Sequence, residues 1–279
     1  MTSYPTLCCS LAGFPSAVGQ SLHNAMYRLM DVPFTYVAFG VAEEPEKVVA
    51  AIRILGIRGA AVTMPFKETV MPYLDRIDPL ASEIGAVNTI VNEDDVLVGY
   101  NVDWLGATAA LESQNVAISD RRVSVMGAGG AARAVVFGLK QRGAGEIRVF
   151  NRTAGRGRAF AVEMDVQYGG GVADLDGEFD IFVNATSAGH VSQPHVCLVS
   201  EAILTSAHTV FDVVPEPMET PLIAMARRQG CAIVYGYQMR LHQAAAQFEL
   251  YTKIKPPVDK MESVLLDIMK LREESAKAV

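Results

Sequence analysis

The stretch Arg122–Arg156, RVSVMGAGGAARAVVFGLKQRGAGEIRVFNRTAGR, holds a strand, a phosphate-binding turn, a helix and a second strand in that order. Val123 to Met126 is apolar and rich in β-branched residues. Gly127, Gly129 and Ala132 then supply G-x-G-x-x-A where a helix over Ala131 to Leu139 opens. The first glycine permits a tight turn, the second lets backbone approach a pyrophosphate, and Ala132 lets helix and strand pack closely. The helix N-terminus offers unpaired N–H groups to phosphate.

The second strand, Glu146 to Phe150, delivers Asn151 at its carboxyl end, 151 − 127 = 24 residues after the first glycine. An NAD site places Asp or Glu here to accept from the ribose 2′-hydroxyl. Asn151 with Arg152, Thr153 and Arg156 instead puts polar and cationic groups where a 2′-phosphate sits, which favours NADP. The competing reading, an ordinary βα turn followed by solvated arginines, does not account for all four features in sequence. A methyltransferase also uses a glycine-rich first turn, but the basic NRTAGR does not suit a ribose diol.

At 279 residues the chain is long enough for two domains of about 100–200 residues each. Half the residues are hydrophobic and 20% are charged, so sizeable cores can form. The net charge of −7 and the absence of a basic block argue against nucleic acid and for a small-molecule partner. No apolar run reaches the roughly 18 residues of a membrane span, and the N-terminal MTSYPTLCC lacks a secretory n-region, so a cytoplasmic protein with no membrane partner is expected. Monomer and homodimer both stay open. Cys8, Cys9, Cys197 and Cys231 have no ligand spacing and read as reduced, mostly buried thiols. His190, His195 and Cys197 lie close together, but one loop trio without a second cluster does not make a metal site, and none is expected.

From the N-terminus, Thr6 to Leu11 reads as a strand, GFPSAVGQ as a loop, and Ser21 to Met30 as a helix with Ser21 as its N-cap. Thr35 to Phe39 is a strand, Pro45 to Leu55 an amphipathic helix, and Gly59 to Met64 a buried strand broken by Pro65-Phe66-Lys67. Thr89 to Val91 and Leu97 to Tyr100 form a hairpin that adds antiparallel edge strands to a parallel sheet. Asp103 to Gln114 connects to the nucleotide domain, whose later strands are Ile181 to Asn184, Thr209 to Phe211 and Ala232 to Val234. Helices over Met239 to Tyr251 and Met261 to Glu274 follow, and are expected to return to the first domain rather than pack on the second. The fold class is therefore α/β: a Rossmann-type NADP-binding domain over 103–237, and an α/β substrate domain with a mostly parallel sheet over 1–102 and 238–279. The expected ligand cleft lies between the two, at the strands' carboxyl ends. Polar residues near strand ends are Lys67, Asn88, Asp103, Asn184 and Gln243; a Lys closing a buried apolar strand after Met-Pro-Phe is the least easily read as a solvated charge.

GAAVTMPFKE resembles the signature around the catalytic lysine of shikimate dehydrogenases, and GAVNT and GYNVDWLG resemble two further motifs of that family. GAGGAAR with NRTAGR is similar to its cofactor loop and NADP clamp, and NATSAG, DVVPEPMETPL and QAAAQFEL continue the likeness. It runs from Ser10 to about Leu250 and is strongest to the divergent shikimate dehydrogenase-like branch. The resemblance implies an NADP-dependent oxidoreductase acting on shikimate or a related hydroxylated carboxylic acid. It implies Lys67 and Asp103 as acid/base pair, and Ser16, Ser21, Thr63, Asn88 and Gln243 as substrate-binding residues. For NADP it implies Gly127, Ala128, Gly129, Gly130, Ala131, Asn151, Arg152, Thr153, Arg156, Thr186 and Gly236.

Three departures stand out. The family's Ser-x-Ser-Pro-x-x-His-Asn grip on a carboxylate is shortened to SAVGQSLHN, leaving Ser16 and Ser21 before His23-Asn24. The Tyr of Asp-x-x-Tyr-x-Pro is Pro215, and the Thr before the acid/base Asp is Val102. Since hydrogen-bonding sites discriminate strongly through such groups, shikimate is expected to be a poor substrate. A quinate-type dehydrogenase and an NADP-binding sensor with decayed chemistry are the alternatives; retention of both Lys67 and Asp103 argues against the sensor.

Overall fold

The structure, a computed structural model, describes residues 4–13, 15–205 and 207–277. It divides into two compact units, Met1–Val102 with Gln243–Val279, and Asp103–His242. Among the described residues each unit is built on a six-stranded sheet.

The first unit contains β1 (Thr6–Ala12), α1 (Ala17–Leu29), β2 (Phe34–Gly40), α2 (Pro45–Ile54), β3 (Gly59–Val62) and a single helical turn, α3 (Phe66–Thr69). Then come β4 (Arg76–Ile77), α4 (Pro79–Ile84), β5 (Thr89–Glu93) and β6 (Val96–Tyr100). The sheet order is β2-β1-β3-β5-β6-β4. β2, β1 and β3 run parallel, whereas β5 is antiparallel to both β3 and β6. Asp94 and Asp95, both at positive φ (53° and 68°), make the two-residue turn whose twist matches the β5–β6 hairpin. The hairpin does not form the sheet edge as expected: the two-residue strand β4 pairs with β6 in parallel and closes it. So short a strand carries no periodicity of its own, and pairing alone defines it. α2 starts with Pro45 in its first turn and turns Val48, Val49 and Ile52 into a core shared with Leu11, Val62, Phe66 and Ile90.

α1 also departs from expectation. It begins at Ala17, and its N-cap is Ser16, whose hydroxyl accepts from Val18 N at 3.3 Å. Ser21 therefore lies inside the helix. The capping hydroxyl satisfies one of the helix's unpaired donors five residues earlier than the apolar pattern alone indicates.

The second unit opens with α5 (Asp103–Ser113) and continues β7 (Arg122–Met126), α6 (Gly130–Gln141), β8 (Glu146–Phe150), α7 (Ala154–Glu163) and β9 (Gln167–Gly170). Its second half is β10 (Ile181–Asn184), the one-turn α8 (Glu201–Leu204), β11 (Thr209–Asp212), α9 (Pro221–Arg228) and β12 (Ala232–Tyr235). All its strand pairs are parallel, in the order β12-β11-β10-β7-β8-β9. The order reverses between β7 and β10, which places the switch point at the carboxyl end of β7, above Gly127. β9 has no counterpart in the sequence reading, because QYGG is glycine-rich and short.

α10 (Gly236–Thr252) and α11 (Val258–Lys277) complete the chain. α11 packs on α1 in the first unit, burying Met261, Leu265 and Met269 along one face. The first turns of α10 stay with the second unit, so the division falls after His242 rather than near residue 237. A Cβ on Gly236 would collide with the Val214 carbonyl, and Arg240 pairs with Glu216 at 2.7 Å, so these turns are held against the segment after β11. No described helix is long and apolar enough to cross a membrane.

Candidate active site

In the second unit a cavity of ≈ 320 Å³ sits at the switch point. Its floor is Gly127, Ala128 and Gly129, and one wall is Asn151, Arg152, Thr153 and Arg156. Gly127 has φ +116°, and a Cβ there would lie 2.8 Å from the Ala185 carbonyl oxygen, so only glycine makes this turn. Gly127 N donates to Phe150 O at 2.8 Å, which ties the turn to the end of β8. Gly130 and Ala131 form the first turn of α6 and, unlike Gly127 to Gly129, are not among the residues lining the cavity.

The basic wall is organised by two local bonds. Asn151 Nδ2 donates to Thr153 O at 2.9 Å, shaping the turn into α7. Arg156 Nε donates to Ala128 O at 3.0 Å, so its guanidinium braces the glycine turn. α7 has no acidic residue in its first turn and no side-chain bond from its N-cap Thr153, an end suited to an anion. These residues fit a dinucleotide with a 2′-phosphate, as the sequence indicated. Gly236 is not among the residues lining this cavity; close packing against Val214 accounts for the glycine. Val172, Ser187, Gln193 and Leu198 line the cavity and were not singled out in sequence, where nothing but their loop position marks them.

Thr186 also lines the cavity, and a buried network holds it. Asn184 Oδ1 accepts from Thr186 Oγ1 at 2.6 Å and Thr186 N at 3.2 Å. Asn184 Nδ2 donates to Asp212 Oδ1 at 2.9 Å and Ala188 O at 3.1 Å. Asp212, wholly buried, also accepts from Val214 N at 3.1 Å and from Thr220 Oγ1 at 2.6 Å. Burial raises its carboxyl to about 6, against the pull of those three donors.

In the first unit Thr63 and Lys67 follow β3 on the turn into α3, with Thr63 exposed and Lys67 half-buried. Lys67 O accepts from Val87 N at 2.8 Å, which brings Asn88 alongside. Asn88 is fully buried, and its Oδ1 accepts from Thr89 Oγ1 at 2.8 Å and Val102 N at 2.9 Å. Asn88 thus lies between the backbone carrying Lys67 and the backbone leading into Asp103, the buried first residue of α5. Gln243 is half-buried on α10.

One turn beyond Gln243, Gln247 is buried and donates to Thr89 Oγ1 at 2.9 Å and Asn88 O at 3.4 Å. It also bonds His23, whose imidazole burial lowers to about 4, keeping the ring neutral against Tyr36, with which it stacks at 4.5 Å. Sequence reasoning missed Gln247 and His23 as site-supporting groups. The available signal was the i, i+4 pair Gln243 and Gln247 on one helical face.

The two serines of the shortened loop do not form a pair. Ser16 caps α1, whereas Ser21 lines a groove between α1 and α11 with Arg28 and Asp267. Five helical residues at about 100° each turn the two side chains about 140° apart. The family-type double-hydroxyl grip is therefore not assembled from these residues. In the second unit His190 Nδ1 bonds Ser192 Oγ at 3.0 Å and Cys197 Sγ bonds Val199 O at 3.4 Å; among the described residues no group of three acidic, His or Cys side chains is arranged to hold a metal ion. Cys8 and Cys9 are buried and Cys197 and Cys231 half-buried, all free thiols, so two rather than most of them are fully enclosed.

An all-parallel doubly wound unit with a glycine turn and a basic second-strand end defines the class of dinucleotide-binding α/β proteins. Family models carry this further. The shikimate dehydrogenase substrate binding domain matches residues 16–90, the shikimate / quinate 5-dehydrogenase model residues 109–212, and the shikimate 5′-dehydrogenase C-terminal domain residues 236–266. The shikimate dehydrogenase (NADP(+)) of Moorella thermoacetica is 38% identical over 93% of this chain and 92% of its own. The shikimate dehydrogenase-like protein of Haemophilus influenzae is 38% identical over 90% and 92%. A solved shikimate dehydrogenase in complex with NADP+ superposes with a TM-score of 0.88 at 31% identity, covering 95% of this chain and 96% of that one. The chain belongs to the shikimate dehydrogenase family, with close likeness to its shikimate dehydrogenase-like branch.

Proposed function

We propose that this protein is an NADP-dependent oxidoreductase that moves hydride reversibly between NADP(H) and a ring alcohol or ketone of shikimate or a related hydroaromatic acid. The observation that carries this reading is the second unit's cavity, where the glycine turn is braced by Arg156 and walled by Asn151, Arg152 and Thr153 with no acid at the ribose position. NADP(H) bound there supplies the hydride donor or acceptor. Gly127, Ala128, Gly129, Gly130 and Ala131 take the pyrophosphate side, and Arg152, Thr153 and Arg156 the 2′-phosphate. Thr186 lines the same cavity.

Lys67 and Asp103 act as the acid/base pair. Oxidising the alcohol requires a positioned base to take the hydroxyl proton, and the reverse reaction requires an acid to return it. Asn88 supports this assignment, because its neighbour Val87 donates to the Lys67 carbonyl while its own Oδ1 accepts from Val102 N, next to Asp103. Thr63 and Gln243 take substrate hydroxyls.

The substrate differs from shikimate or is bound by a different route. Ser16 is engaged as a helix cap, Ser21 faces α11, Val102 offers only its backbone, and Pro215 has no hydroxyl. A screen of hydroxylated cyclohexane and cyclohexene carboxylates, shikimate and quinate included, followed by NADPH absorbance with NAD as the parallel cofactor, tests the reading. NADP-dependent turnover of at least one acid is expected, with shikimate slow or weakly bound. Cofactor binding without turnover of any acid would favour an NADP-binding sensor.

A further inference from the structure

We propose that Asp212 is a positioning residue for the cofactor cavity, acting through Asn184 to set where Thr186 stands. This rests on the cofactor reading above. Neither Asp212 nor Asn184 lines the cavity, yet each bond between Asp212 and its wall is present.

The donors run in one direction. Thr186 gives both its hydroxyl and its backbone N–H to Asn184 Oδ1. That fixes which end of the Asn184 amide faces the wall, so its Nδ2 must face Asp212 and Ala188 O. A carboxylate at 212 is the acceptor this orientation needs, and burial strengthens such charge-assisted bonds. With the Thr186 hydroxyl proton given to Asn184, its oxygen accepts from Ala188 N at 3.1 Å. The turn from Asn184 to Ala188 is therefore set by hydrogen bonds that centre on the Asn184 side chain, which the buried Asp212 carboxylate in turn holds.

The far side of Asp212 reaches a second segment. Oδ2 accepts from Thr220, which caps α9, and Oδ1 from Val214 N, so the same group anchors the chain between β11 and α9. A structural role alone would be satisfied by that anchoring. The bond to Asn184 adds a link to the cavity that core packing does not require.

The test compares NADPH dissociation constants, followed by cofactor fluorescence well below the melting temperature, across five variants. Asp212→Ala should weaken NADPH about tenfold. Asp212→Asn keeps an oxygen for Asn184 Nδ2 and Val214 N while Thr220 Oγ1 can turn to accept, so it should recover affinity to within about threefold of wild type. Thr220→Val removes only the far bond and should shift affinity about twofold to threefold. Val210→Ala, on the same strand in the apolar core, should lower the melting temperature without moving NADPH affinity. Equal affinity losses in Asp212→Ala and Val210→Ala would overturn the inference, as would Asp212→Asn being no better than Asp212→Ala. If Asp212→Ala does not fold, unchanged affinity in both Asp212→Asn and Thr220→Val, with Asn184→Ala also at wild-type affinity, overturns it. A wild-type protein that binds no NADPH would overturn the cofactor reading, whereas wild-type binding with tight binding by Asp212→Ala would overturn this inference alone.

Discussion

In the second unit much of the cavity comes from two neighbouring pieces of chain, Met126 to Gly129 after β7 and Asn151 to Arg156 after β8, and a backbone bond from Gly127 to Phe150 ties them together. In the first unit the polar groups come from segments far apart: a backbone bond sets Lys67, after β3, beside Asn88, before β5, and side chains join Asn88 through Thr89 to Gln247 on α10 and His23 on α1. The buried ionisable groups differ as well. Burial pushes Asp212 up to about 6 in one unit and His23 down to about 4 in the other. The glycine turn rests on backbone geometry, whereas a network of side chains fails through any member, and the units should respond to mutation and pH in distinguishable ways.

The largest separation is expected at Lys67. Lys67→Ala should lower turnover on the best substrate by about 10²–10⁴ while leaving NADPH affinity in the other unit unchanged. Asp103→Asn should behave likewise, and the double variant should be little worse than the worse single one if the two form a unit. Retained turnover in Lys67→Ala would break the assignment of the acid/base chemistry to Lys67.

The next effect sharpens the second unit. Arg152→Ala should weaken NADP by about one to two decades and leave NAD almost unaffected, since a charge-assisted phosphate contact contributes about 1.5–3 kcal/mol. Arg156→Ala should weaken both cofactors, because its Nε also braces the Ala128 carbonyl of the glycine turn. Identical NADP-to-NAD ratios in the two variants would show that the arginines do not divide the work in this way.

Stability against pH compares the two buried groups directly. Asp212 has a folded value above its unfolded 3.8, so its contribution is full below about pH 4 and is lost as pH rises through about 6. His23 has a folded value below its unfolded 6.5, so its contribution is full above that pH and is lost as pH falls toward about 4. Each amounts to about 3 kcal/mol at most, and over the shared window they oppose one another. Asp212→Asn should therefore steepen acid destabilisation between about pH 6 and 4, and His23→Gln should flatten or reverse it. Urea titrations at four pH values would read this, and parallel curves for wild type and both variants would refute the opposition.

The smallest expected effect concerns Ser16. Ser16→Ala should cost about 1 kcal/mol through loss of the α1 cap, with a KM for any acid substrate within about threefold of wild type. A tenfold rise in KM would restore Ser16 to the substrate grip.

The nucleotide-binding pattern was readable because its determinants are local. Strand, glycine turn, helix and basic strand end fall within the 35 residues from Arg122 to Arg156, and each carries a spacing that the backbone geometry imposes. Lys67, Asn88 and Asp103 were legible for a related reason: polar groups at the ends of apolar strands stand out against their neighbours. Gly236 illustrates the limit, since its glycine answers to the Val214 carbonyl across the fold rather than to a ligand.

Sequence by itself determined the α/β class, the dinucleotide turn and the basic end of β8, because periodicity, glycine and charge placement act over a few residues; it marked Lys67 and Asp103 at strand ends, and their acid/base role is what the family resemblance implies. Tertiary structure alone decided that β4 closes the first sheet, that Ser16 caps α1 while Ser21 faces α11, and that Gln247 and Asp212 anchor buried networks. Those outcomes depend on which distant donors and acceptors meet once water is excluded. A hydroxyl or carboxylate takes whichever partner burial leaves within reach, and no local spacing records that choice.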